Sequence, residues 1–173
     1  MRMWGLIGAV WGLVGVSTLL GSAIWRLSPY AFELAHLELT TLQWALLVAN
    51  VVFMAHSEGY KGFQQNFSPR VAARTRYLAD HPHPLRALLA PLFCMGFFHA
   101  TRRRLIVSYV LTSMIICLIV LVRTLSQPWR GIVDAGVVVG LAWGLIAYWV
   151  SVARAFGSAT FDHDPEVPVP AAS

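Results

Sequence analysis

The chain reads as an all-α polytopic membrane protein: a four-helix transmembrane bundle with a cytoplasmic interfacial or re-entrant helical segment between helices two and three. Three observations lead there. Of its 173 residues, 57% are hydrophobic and only 12% charged, and mean hydropathy is +0.62. Residues 3–25, 39–55 and 105–122 carry no charge, and 131–152 carries only Asp134. Runs of this kind match the roughly 20 helical residues that cross a bilayer core. Finally, Lys61, Arg70, Arg74, Arg76, Arg86, Arg102, Arg103 and Arg104, eight of the 13 basic residues, fall between the second and third runs. Short basic loops stay in the cytoplasm.

The first span is expected over residues 3–25. Its apolar stretch is longer than the core of a signal peptide, and Trp4 and Trp25 stand where the two interfaces fall, so it reads as a retained helix. Gly5, Gly8, Gly12 and Gly15 share one face of it. Gly136, Gly140 and Gly144 do the same on the fourth helix. In lipid such faces allow close helix approach, within the chain or between copies, so a homo-oligomer through either is a candidate.

The second span is expected over 35–56, in a helix starting near Pro29 with Ser28 as cap. His36, Gln43, Asn50 and Ser57 recur every seven residues, forming a polar stripe that must face protein or water rather than lipid.

A cytoplasmic loop is expected over 57–104. Gly59 and Gly62 suggest a chain reversal. Ser68-Pro69 then reads as the cap and first turn of a short helix lying on the membrane surface. His81-Pro82-His83-Pro84 breaks that helix, and the apolar stretch 87–100 is too short to span. If that stretch did span, the basic residues would divide eight inside to five outside. With four spans they divide ten to three: Arg2, the loop eight and Arg154 inside, and Arg26, Arg123 and Arg130 outside.

The third and fourth spans are expected over 105–125 and 131–153, with Arg130 able to pair with Asp134 one turn later. These spans make residues 1–156 a single membrane domain. The acidic, proline-rich tail, 157–173, reads as a disordered cytoplasmic segment. Both termini then lie in the cytoplasm, and a bacterial inner membrane is the default address.

The net charge of +5 is explained by topology and anionic headgroups without nucleic acid. Cys94 and Cys117 form no CxxC pair and read as buried apolar residues. No phosphate loop, HExxH or nucleophile elbow occurs. The sequence names no cofactor and does not decide whether the protein is an enzyme.

The favoured function is a non-enzymatic membrane component that binds an anionic lipid, ligand or partner through a basic cytoplasmic pocket. Its candidate ligand-binding residues are Glu58, Lys61, Arg70, Arg74, Arg102, Arg103 and Arg104, with Glu58 expected to orient one of the arginines. Anionic membrane lipids are the expected partners. One alternative is an enzyme acting on a phosphate-bearing lipid, with His56 and Glu58 as acid and base. Another is a b-type haem or metal-binding protein with His56 and His99 as axial ligands.

Overall fold

The computed structural model describes residues 2–158, 161 and 163–168. It is all-helical, with no strand among those residues. Seven α-helices follow in order: α1 (Arg2–Glu33), α2 (Thr41–Met54), α3 (Ser68–Asp80), α4 (Pro84–Leu88), α5 (Ala90–Met95), α6 (Arg102–Arg123) and α7 (Trp129–Gly157). Three helical stretches are long and apolar enough to cross a membrane: Met3–His36, Arg102–Arg123 and Trp129–Gly157.

Helix α1 is longer than the first span expected at 3–25. Its 32 residues measure about 48 Å, and they carry Pro29 inside the helix rather than at the start of the next one. The boundary lies instead at Thr40. Its hydroxyl accepts from the Gln43 amide at 3.3 Å, and the Gln43 side chain accepts from the Thr40 amide at 2.9 Å. This reciprocal capping box starts α2 at Thr41, later than the expected 35. Ser28 caps nothing. Its hydroxyl donates to the Ile24 carbonyl one turn back.

Gly59 and Gly62 do not reverse the chain. From Ala55 to Phe67 it continues as a π-helical segment and runs on into α3. Gly59 is the reason for the close approach here: a Cβ would stand 3.0 Å from Trp143 of α7. Ser68 likewise does not cap α3; its hydroxyl reaches the Gly144 carbonyl at 3.5 Å.

Nor does α3 lie on a surface. Val71, Ala72, Ala73, Arg74, Thr75 and Leu78 are all buried, because α3 is enclosed by α1, α5 and α7. Its weakly apolar pattern failed to show this because small residues and one arginine do the packing.

The glycine faces are spent inside the chain. A Cβ at Gly8 would meet Ala87 at 3.0 Å, and one at Gly12 would meet Cys94 Sγ at 2.9 Å. Gly5 and Gly15 abut Ala79 and Pro91. On α7, Gly136 faces Asn50 and Met54, Gly140 faces Glu58, and Gly144 faces the Phe63 ring.

Helices α1 and α7 run antiparallel. Gly131 sits against Tyr30 and Leu34, while Val16 and Leu20 join Tyr148 and Val152 in the core. That core also takes Val71, Leu78, Ala90, Phe93 and Cys94, so it lies at the end of the molecule where the arginines gather. Helix α6 stands apart from this packing. Its buried residues are Arg104 and Ser108, both near its start.

Candidate functional site: a basic clasp on the C-terminal segment

Arg74 is fully buried on α3, and its guanidinium spends its donors on carbonyl oxygens. Nε donates to Phe93 at 2.7 Å, and Nη2 to Phe98 and His99 at 3.1 and 3.0 Å. Nη1 donates to Pro165 at 2.7 Å. The guanidinium carbon lies 4.2 Å from the centre of the Phe93 ring. Burial pulls the Arg74 pKa down to about 10, so it keeps its proton at neutral pH. A planar fork with five donors can tie several strands of chain together in this way; a lysine could not.

The segment it ties down is the turn after α5 and the tail. Gly96, at φ +84, lets the chain leave α5. Tyr109 and Ser108 of α6 hold the turn by donating to the Phe97 and Met95 carbonyls at 3.1 and 3.4 Å. His99 and Glu166 adopt φ values of +48 and +51, which side chains rarely tolerate. Both are fixed from outside. Arg74 holds the His99 carbonyl, and the Thr101 amide donates to the Glu166 carbonyl at 3.0 Å. Backbone strain gathered at one place of this kind is a mark of functional sites.

Above this carbonyl clamp sit two further arginines. Arg70 Nη1 and Arg104 Nε lie 3.9 and 4.0 Å from the Glu166 carboxylate. Arg70 also donates to the Asn66 carbonyl at 2.9 Å. Burial lowers its pKa, and the Glu166 charge opposes that. The Glu166 amide donates to Asp164 at 2.7 Å, which shapes the tail into a turn. Arg76 secures the approach by donating to the Ala155 and Ser158 carbonyls at 2.8 and 3.1 Å.

Of the candidate ligand-binding residues, the structure brings together Arg70, Arg74 and Arg104. Arg102 and Arg103 are exposed on the first turn of α6. Lys61 is exposed on the π-helical segment, its carbonyl taken by Asn66. Glu58 is not among the arginines: its side chain faces Gly140. The acid that does meet them is Glu166 of the tail, which is not among the expected site residues. Opposite charge was the available signal, since Asp164 and Glu166 are acids following a strongly basic region.

Within the tail expected to be disordered, Pro165 and Glu166 meet this site, whereas 159, 160, 162 and 169–173 are outside the described residues. The polar stripe divides. His36 is exposed in a 3₁₀ turn, Gln43 caps α2, and Asn50 donates to the Ile132 carbonyl of α7 at 2.7 Å. His56 stacks on Tyr60, and His99 neighbours Phe93. Among the described residues no group of three or more His, Cys, Asp or Glu could hold a metal ion. The Cys94 thiol, buried beside Thr75, is pushed up to about 11 and is a packing group. Compared with known proteins, the chain matches no family model, no curated protein and no solved structure.

Proposed function

We propose that this is a four-span, non-enzymatic component of a bacterial inner membrane, with both termini cytoplasmic, whose basic clasp docks an acidic peptide segment. In this reading α2 and the π-helical segment form the remaining span. The 14 residues of α2 alone measure only about 21 Å, so the continuation supplies the rest of a crossing of about 30 Å. The apolar stretch at 87–100, now α4 and α5, is interfacial or re-entrant. The loop arginines and Arg154 gather at one end, which supports the inward orientation.

The observation that carries the docking reading is the position of Glu166. Its carboxylate sits between Arg70 and Arg104 while its carbonyl and that of Pro165 are gripped by Thr101 and Arg74. A lipid phosphate and an acidic peptide share the negative charge, but only the peptide also brings main-chain carbonyls. That favours a peptide over a headgroup. The chain's own tail is then the resident occupant, and an acidic segment of a partner competes with it.

The test uses the full chain in nanodiscs and a labelled peptide with the sequence of residues 161–168. Glu166→Gln weakens the resident occupant and should bind the peptide more tightly than the wild type. Arg70→Gln combined with Arg104→Gln should bind it least. Equal binding to all three proteins rejects the site. Displacement of the tail by phosphatidylglycerol, with no effect of the peptide, would transfer the site to a lipid headgroup.

A further inference from the structure

A groove of about 660 Å³ runs along the outer side of α7, clear of the arginine clasp. That volume is in the range of small-molecule sites, about 300–1,000 Å³. Its floor is apolar from Val139 through Ile146 to Val150, and Ser151 and Arg154 follow at its basic end. Trp143 forms part of one wall and is fixed there, its indole donating to Gln64 at 2.7 Å. Phe161 and His163 of the tail close the same end as Arg154. Arg154 is exposed and has no ion pair among the described residues.

We propose that this groove binds one acyl chain of an anionic phospholipid of the inner leaflet, with the lipid phosphate held at Arg154. The fifteen residue steps from Val139 to Arg154 amount to about 22 Å of helix. Half the hydrocarbon core is about 15 Å, so the groove runs from near the mid-plane to the headgroup level on the side where the arginines gather. An amphiphile with its charge at one end matches that division between wall and mouth. Charge complementarity selects the headgroup, since Arg154 is an exposed cation with no ion pair among the described residues. His163 also lines the groove and brings a polar ring to it. A second copy of the chain fits less well, because its helix would have to bury Arg154 against apolar surface. The proposal shares the membrane reading with the docking function, and Phe161 and His163 belong to the tail that the clasp holds, but Arg154 and the apolar wall on α7 lie outside the clasp, so the lipid preference and the peptide docking are read separately.

The experiment is native mass spectrometry of the full chain released from nanodiscs of equal phosphatidylglycerol and phosphatidylcholine. The wild type should retain one phospholipid with about a fivefold preference for phosphatidylglycerol, the effect of one basic group at an anionic surface. Arg154→Gln, an exposed change that leaves the fold alone, should keep a lipid but lose the preference. Val150→Trp fills the groove and should lose the lipid. Equal retention of both lipids by the wild type, or an unchanged preference in Arg154→Gln, overturns the proposal. So does a dimer that carries no lipid. If Val150→Trp proves unstable, the Arg154→Gln comparison alone decides. Loss of the Arg154 effect with peptide docking intact would reject the groove and leave the clasp standing.

Discussion

Arg74 and Glu166 meet through the backbone, not through an ion pair between their side chains. Arg74 Nη1 lies 3.5 Å from the Glu166 carbonyl and 2.7 Å from that of Pro165, while the Glu166 carboxylate turns to Arg70 and Arg104. One arginine therefore orders the tail, and two others read its charge. These roles predict different phenotypes.

Arg74→Met should be the most damaging of the arginine changes. It leaves the carbonyls of Phe98, His99 and Pro165 without the Arg74 donor, and that of Phe93 with the Gly96 amide alone, at a cost of about 3 kcal/mol or more. Arg74→Lys should rescue little, because an ammonium cannot span the same fork. Thermal unfolding in detergent measures both, and a melting temperature equal to wild type for Arg74→Met would refute the clamp.

Neutralising Arg70 should hardly change global stability. Its contact with Glu166 is long, and the Glu166 side chain is 38% exposed, so the pair contributes under about 1 kcal/mol. The expected readout is local: faster amide exchange in residues 163–168 with an unchanged melting temperature.

Asn50→Leu should insert normally and lose about 1 kcal/mol, the worth of one interhelical hydrogen bond in a membrane. Gly144→Val should cost more, about 1–3 kcal/mol, since the added carbons enter the Phe63 ring. Unfolding in a denaturing detergent ranks the two, and the reverse order would contradict the packing described.

Cys94 should resist maleimide at pH 8 in the folded protein. Its thiol is raised to about 11 from an ordinary 9.0, so the folded state holds the proton more tightly than the unfolded chain. The stability this contributes is complete below pH 9 and is lost as pH rises towards 11. Cys94→Ala should remove that part of the alkaline decline. Rapid labelling of Cys94 at pH 8 would show that the thiol is not enclosed.

Much of the helical class was legible because long uncharged runs and grouped arginines leave few alternatives to membrane helices. The Arg130–Asp134 pair was also legible from its one-turn spacing, and stands at 3.5 Å. The π-helical segment was not. Gly59 and Gly62 beside aromatic residues carry the same local signal as a turn, and what holds the segment helical is its packing on the distant α7, Gly59 against Trp143, Glu58 against Gly140 and Phe63 against Gly144. The clasp was half legible. Its arginines were evident, but which of them were buried depended on α1, α5 and α7 closing around a helix of small residues. Glu166 was missed because a short proline-rich acidic tail carries no periodicity, and its placement rests on contacts with residues 60 to 100 positions away.

The most direct measurement of the docking claim is a charge swap read by hydrogen exchange at residues 163–168. Arg70→Glu and Glu166→Arg should each speed exchange in that segment, and the double variant should return it towards the wild-type rate, since the opposite charges again face one another. Unchanged exchange in the single variants, or no recovery in the double, would mean that the arginines do not read the charge on the tail.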